Sequence, residues 1–257
     1  MNIKQTIIAF AFAAVALPLS AFAGGSAHLQ SANIDLHDKD SLQRGAKYYI
    51  NYCMACHSLK FSRYNRMAED LGLTEDEVKE NLIFTRDPKK DKPTKIGSLM
   101  ENALDHESAA KWFGTPPPDL SLVGRSRGAD WIYTYLNSFY KDDSRPFGVN
   151  NTVFPNVGMP HVLMGLQGLQ KLEEEPATEG ESKEGHHAAP KFVMERTGVM
   201  TEDDYREVTR DLTNFLTYVS EPAQLHRKTY GVFVMIFLAI FFVVAYLLKK
   251  EYWKDVH

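Results

Sequence analysis

The sequence predicts a mainly α-helical domain with long irregular loops, followed by one membrane-spanning helix near the C-terminus. Three observations carry that expectation. Apolar residues recur at spacings of three and four in several separate stretches, no run of alternating strands interrupts them, and residues 231–248 form an uncharged block rich in Phe, Val, Leu and Ile.

The elements follow in order. Residues 1–23 read as a secretory signal peptide: Lys4 gives a positive start, Ile7 to Leu19 is a short apolar stretch, and Ala21-Phe22-Ala23 is a small-x-small cleavage site. That stretch is too short to cross a bilayer, so cleavage after Ala23 and export to an oxidising compartment are expected. Residues 24–38 look extended and polar. From Asp40 a helix is expected, with Leu42, Ala46, Tyr49, Ile50 and Cys53 on one face. A second starts at Thr74, which forms a capping box with Glu77 ahead of Val78, Leu82 and Ile83. Residues 85–98 are basic and broken by Pro88 and Pro93, and Pro116-Pro117-Pro118 is a rigid extended strut. Trp131, Ile132, Tyr135, Leu136 and Phe139 mark a third helix. Residues 141–161, dense in Pro, Gly and Asn, read as a long loop.

Residues 173–190 have a different texture, three glutamates followed by a low-complexity mix of Gly, Ser, Lys, His and Ala, and read as a disordered surface insert. His186 and His187 within it read as solvated rather than as metal ligands. Thr201 then opens a helix with Asp204 in its first turn and a stripe of Val208, Leu212, Phe215, Leu216 and Val219, ended by Pro222. The domain is therefore expected over residues 24–222 and an anchor with its flanks over 224–250. As a helix, the uncharged block would be roughly 27 Å long, close to the hydrocarbon thickness. Tyr230, Tyr246, Tyr252 and Trp253 stand at its interfaces; Lys249, Lys250 and Lys254 follow the span but Arg227 and Lys228 precede it, so it is the exported N-terminus with one later span that puts the tail, 251–257, in the cytoplasm. Loss of Lys4 with the leader takes the formal charge from −4 to −5, a balance that argues against nucleic acid and suits a basic partner.

Cys53-Met54-Ala55-Cys56-His57 is the attachment pattern of a c-type haem. Two thiols separated by two residues reach the two vinyl groups along one porphyrin edge, and the adjacent His57 is placed beneath the iron. A structural zinc site would need a second ligand pair, which is missing. A thioredoxin-like dithiol would follow a βαβ pattern, which is also missing. The residues alone leave the sixth ligand open. A methionine there would raise the potential and close the iron to small ligands. Met1 lies in the signal, Met235 lies in the membrane span and Met54 faces the wrong way inside the attachment turn, leaving Met67, Met100, Met159, Met164, Met194 and Met200. Met159 stands out because Asn156-Val157-Gly158-Met159-Pro160 is irregular enough to lie across a haem face, and His161 competes with it. Arg125 and Arg127 are donors for the haem propionates, since guanidinium matches carboxylate bidentately.

These pieces together resemble the cytochrome c1 family, the haem subunits of cytochrome bc1 (ubiquinol–cytochrome c reductase) complexes. The resemblance is carried by Arg44-Gly45, by Tyr52 to Ser58 around the attachment motif, by Pro116-Pro117-Pro118-Asp119-Leu120-Ser121, by Arg125 to Trp131, by Gly158-Met159-Pro160, and by the C-terminal span. It implies a class I cytochrome c-like haem domain with one covalent haem c, His57 and Met159 as axial ligands, and Arg127 ahead of Arg125 as propionate partner. It implies cytochrome b and Rieske iron–sulfur subunits as partners in a dimeric complex of the inner membrane, with the haem domain in the periplasm. It also implies a soluble or membrane-anchored cytochrome c as acceptor, with no quinol site in this chain. A position often held by tyrosine in the family is Trp131 here, and the further disulfide of some members has no cysteines to form it. The competing functions are a free-standing membrane-anchored c-type carrier, a haem subunit of a terminal oxidase, a periplasmic thiol–disulfide enzyme using Cys53 and Cys56, and a haem gas sensor with an open iron position. Glu69, Asp70, Glu75, Asp76 and Glu77 form an acidic patch that could dock an acceptor or simply be a solvated helix face.

Overall fold

The computed structural model describes residues 28–87, 91–173 and 190–254; the leader, most of the acidic insert and the end of the tail lie outside the described residues. Helix α1 (Lys39–Tyr52) opens on Asp38, whose side chain accepts a hydrogen bond from Ser41 N at 3.0 Å. Its expected face is buried, with Leu42, Ala46 and Tyr49 at 1% exposure or less. Strand β1 (Leu59–Arg63) follows, then α2 (Tyr64–Leu71). α3 (Glu75–Asn81) carries the predicted capping box in full: Glu77 N donates to Thr74 Oγ1 at 3.2 Å and Thr74 N donates back to Glu77 Oε2 at 2.8 Å. Thr74→Ala removes the acceptor of an otherwise unpaired helix N–H. It is expected to cost about 1 kcal/mol of stability, read as a lower denaturant midpoint at unchanged slope.

Strands β2 (Arg86–Asp87) and β3 (Lys92–Pro93) form a small antiparallel pair, and β4 (Leu99–Met100) returns antiparallel to β1. Next come α4 (His106–Phe113), the proline strut, the short α5 (Val123–Ser126) and α6 (Ala129–Asn137). Strands β5 (Phe139–Lys141) and β6 (Val149–Asn151) pair antiparallel, followed by α7 (Met164–Gln167) and a third hairpin of β7 (Gly168–Leu172) with β8 (Phe192–Thr197). Glu173 N donates to Lys191 O at 2.9 Å, so the acidic insert leaves from and returns to one end of this hairpin.

The mainly helical domain also carries these four short two-stranded ladders, all antiparallel, none of which the sequence marks. Their strands run from two to six residues, too short to raise an alternating pattern against the helical periodicity around them. The 141–161 segment, expected to be one loop, contains β6 for the same reason.

Helix α8 (Glu202–Ser220) is capped by Thr201, which accepts from Asp204 N at 3.2 Å, and buries the whole predicted stripe. It crosses α1 at the centre of the core. Gly45 makes the crossing possible, because a Cβ there would lie 2.1 Å from the Asp211 carbonyl oxygen. Around it Arg44 Nε donates to Asp211 Oδ2 at 2.6 Å, Ser41 Oγ to Asp211 Oδ1 at 2.7 Å, and Asn214 Nδ2 to Ser41 Oγ at 3.0 Å. A second close approach brings α5 against α8, where Gly124 N donates to Ser220 Oγ at 2.8 Å.

Helix α9 (Gln224–Tyr252) has 29 residues, with none buried and a mean hydropathy of 2.9 over its most apolar window. At 1.5 Å per residue it is about 43 Å long, long and apolar enough to cross a membrane.

Candidate haem site

The attachment motif begins where α1 stops. Cys53 caps the helix, with its N–H still bonded to Tyr49 O at 2.9 Å; then Cys56 N and His57 N both fold back onto Cys53 O, at 3.0 and 2.8 Å. That tight turn presents two unpaired thiols and the imidazole from one helix end. The turn is anchored from below. Tyr49, fully buried, donates its hydroxyl to the His57 carbonyl and packs on Phe215 of α8 at a ring separation of 5.6 Å. The crossing of α1 and α8 thus bears directly on the position of His57.

The proline strut orients the ring. His57 Nδ1 lies 2.7 Å from Pro118 O. A carbonyl only accepts, so Nδ1 carries the proton and Nε2 keeps the lone pair that a metal needs. The strut is held in turn, with Leu120 N donating to Ser58 O at 3.0 Å, Lys60 N to Asp119 Oδ2 at 2.9 Å and Phe61 N to Ser121 Oγ at 3.1 Å. Burial lowers the His57 pKa, against an opposing bond to Pro118, and so favours the neutral, ligating form. A cavity of about 530 Å³ opens beside the motif, lined by Cys56, Ser58, Asn102, Leu104 and Pro116 to Pro118.

The thiol chemistry weighs against a dithiol enzyme. Burial, and then the neighbouring Cys56, push Cys53 up to about 12, the opposite of the depressed value that a redox-active thiol requires. The antiparallel ladders also include no parallel pair of the thioredoxin type among the described residues.

The methionines separate cleanly. Met67 and Met100 are fully buried core residues, Met194 is exposed on β8, and Met200 packs partly buried against the main core. Met164 Sδ receives Arg196 Nη2 at 3.2 Å. Met159 is half-buried, and Tyr135 Oη donates to its Sδ at 3.3 Å. Burial raises the Tyr135 pKa, so the phenol stays protonated and remains a donor. His161 is otherwise engaged: its ring stacks on Phe139 at 4.9 Å and its Nε2 lies 2.8 Å from Gln167 Oε1. It is a satisfied core histidine, not a free ligand, and burial lowers its pKa to about 4.

Arg127 connects to Met159 through aromatic rings. Its guanidinium lies 5.0 Å over Trp131, which stacks on Tyr135 at 5.0 Å, and 6.0 Å over Phe154. Its donors have no carboxylate partner among the described residues. Both arginines are exposed, and Arg125 lacks such a ring cluster. The acidic residues split: Asp70 is tied up by Arg66 at 2.8 Å and Tyr218 Oη at 2.7 Å, whereas Glu75, Asp76 and Glu77 sit in the first turn of α3.

Two further participants leave little mark in the sequence. The strut was expected to be rigid, but not to place a carbonyl on His57; the lack of N–H groups in a proline run is the hint that its carbonyls are free to serve others. Tyr135 looked like one more apolar-face residue, and nothing in the spacing marks its hydroxyl.

The residues fit a covalently held haem: two unpaired thiols one turn apart, an imidazole with its distal nitrogen free, a thioether on an irregular loop, and an unpaired guanidinium. Comparisons with known proteins agree. The family model described as Cytochrome C1 family matches residues 30–256. The chain is 52% identical to "Cytochrome c1" of Allochromatium vinosum, over 91% of this chain and 92% of that one. It is 44% identical to a Nitrosomonas europaea protein named "Ammonia monooxygenase gamma subunit", over 91% of each. It is 29% identical to "Cytochrome b/c1" of Bradyrhizobium diazoefficiens, over 86% of this chain and 34% of that longer one. With the motif, the strut and the anchor helix all inside the matched span, the chain belongs to the cytochrome c1 family.

Proposed function

We propose that Cys53 and Cys56 tether the haem c of this chain through two thioethers, that His57 and Met159 are its axial ligands, and that Arg127 faces a propionate. Family membership supplies the wider role: the chain is the haem-bearing electron-transfer subunit of a cytochrome bc1 complex, membrane-anchored, with cytochrome b and Rieske iron–sulfur partners. The observation that carries the site is the fixed His57 ring, its Nδ1–H spent on Pro118 O directly beside two free thiols.

Bound there, haem c supplies one-electron oxidation and reduction at its iron. The residues of the chain do the rest. Pro118 O holds the His57 ring and raises the basicity of Nε2. Tyr135 keeps the Met159 thioether turned one way. Arg127 offers a planar pair of donors to a carboxylate that would otherwise be costly to shelter. The electron arrives from the Rieske subunit and leaves to a periplasmic cytochrome c, soluble or membrane-anchored. The signal sequence with one later span supports a periplasmic haem domain and a cytoplasmic C-terminus. The longer Bradyrhizobium relative named "Cytochrome b/c1" supports cytochrome b as neighbour. A dimeric complex rests on the resemblance alone.

A reduced-minus-oxidised spectrum of the gently solubilised, purified complex tests the role. It is expected to show c-type and b-type haem together; a chain that always purifies with no b-type haem would sink this reading. Met159→Leu tests the ligand. Haem should stay attached while the reduction potential falls and the ferrous iron opens to carbon monoxide. An unchanged potential removes Met159 from the iron.

A further inference from the structure

Both cysteines lie in the attachment motif, so no disulfide can hold the loop that carries Met159. The loop is nonetheless fixed at one residue. Asn156, three positions before Met159, sits in the left-handed region at φ 63. Each of three polar groups on it is engaged. Its N–H donates to Asn150 Oδ1 at 2.9 Å, its Oδ1 accepts from Arg145 Nη1 at 3.1 Å, and its carbonyl accepts from Arg145 Nη2 at 3.0 Å. Arg145 lies in the β5–β6 turn, where its N–H bonds to Asp142 O and its carbonyl accepts from Gly148 N. Asp142 also receives Asn150 Nδ2 at 2.9 Å, which closes the network. Between Asn156 and Met159, Val157 is buried against Phe139 and Val149 in the small apolar cluster on which Met159 packs.

We propose that Arg145 is a positioning residue for the axial methionine, clamping Asn156 with both ends of its guanidinium so that the loop presents Met159 in one orientation. This rests on Met159 being the ligand. A planar fork bonded to a carbonyl and a side-chain oxygen of the same residue fixes direction as well as distance, which a single ammonium cannot. The two bonds to Asn156 lie at the surface, while the Arg145 Nε is buried with no acceptor among the described residues. Sulfur is a weak ligand on an irregular segment. The order of that segment therefore decides how much of the population is ligated, as it does for any pre-organised site.

The test uses the intact complex with Arg145→Ala, Arg145→Lys, Asn156→Asp and, as control, Met159→Leu. Arg145→Ala should keep parental covalent haem content. It should also weaken the thioether-to-ferric-iron absorption band, admit carbon monoxide to the ferrous haem, and shift the oxidised-to-reduced ratio at fixed potential by about tenfold or more, about 59 mV for one electron. Arg145→Lys should shift in the same direction. Asn156→Asp keeps an acceptor oxygen and a residue tolerant of positive φ, and should stay near the parent. If Met159→Leu shows the full loss while Arg145→Ala and Arg145→Lys keep the parental band, potential and carbon monoxide exclusion, the clamp is wrong and the ligand stands. If Met159→Leu itself changes nothing, the ligand assignment falls first. Should Arg145→Ala fail to accumulate, the lysine variant alone decides, on the same three readouts.

Discussion

Cys56→Ala is expected to leave a folded chain that no longer holds haem stably by covalent attachment. Cys56 is half-exposed in the turn after α1, away from the buried stripe of α8, so trimming its side chain should change stability by no more than about 0.5 kcal/mol. The core it leaves behind is intact, because the α1–α8 crossing and the Tyr49–Phe215 contact involve no atom of Cys56. What disappears is one of two anchors in a turn whose geometry is fixed by Cys53 O accepting from both Cys56 N and His57 N. Denaturing electrophoresis followed by haem staining reads the result: parent chain stained, variant chain present by immunoblot but largely unstained. Cys53→Ala should give the same loss of stain with more destabilisation, since Cys53 is only 9% exposed and its removal opens a void against the core. Full parental staining in either variant would refute the assignment of that thiol.

The site and the fold differed in how far they could be read beforehand. Cys53, Cys56 and His57 announce themselves because covalent attachment demands a fixed local spacing, α1 and α8 because burial imposes a helical period on each, and the seven-residue α3 through its capping box. Their caps at Asp38, Thr74 and Thr201 are local as well, a hydroxyl or carboxylate reaching an N–H three residues on. Helices α2 and α4 are not legible in the sequence. Each has only eight residues, too few for a period to rise above chance, and each ends on a glycine at positive φ, which is clear only with the backbone in view. The far side of the haem was opaque for another reason. Tyr135 with Met159 and Arg145 with Asn156 join the 152–160 segment to separate parts of the chain, and composition says nothing about which segments meet. His161 illustrates the point: by chemistry it competes as a ligand, and only its partners Gln167 and Phe139 take it out of contention.

Gly45→Ala is the second large effect, and two contributions of opposite sign decide it. In an isolated helix the change would help, since alanine is favoured over glycine by about 1 kcal/mol in a helix interior. Here the added Cβ would meet Asp211 O at 2.1 Å, Phe215 Cβ at 2.7 Å and Asp211 C at 2.8 Å. Two of these are backbone atoms of α8, so no rotamer change relieves the clash and the helices must part. Separation stretches every bond made at the crossing: Arg44 to Asp211, Ser41 to Asp211 and Asn214 to Ser41. Asp211 is 3% exposed at its side chain, so any partner it loses is not simply replaced by water. Overpacking of a tight core typically costs about 1–3 kcal/mol, and the weakened buried network adds to it, so a net loss of about 2 kcal/mol or more is expected despite the gain in propensity. Thermal unfolding of the holoprotein, followed by the far-ultraviolet helical signal, should show the midpoint falling by several degrees. Because Phe215 supports Tyr49, and Tyr49 holds the His57 carbonyl, the haem spectrum should begin to change before the helical signal is lost. A midpoint equal to or above the parent would mean that α1 and α8 can accept a methyl group between them. The proximal side of the haem would then not depend on that contact.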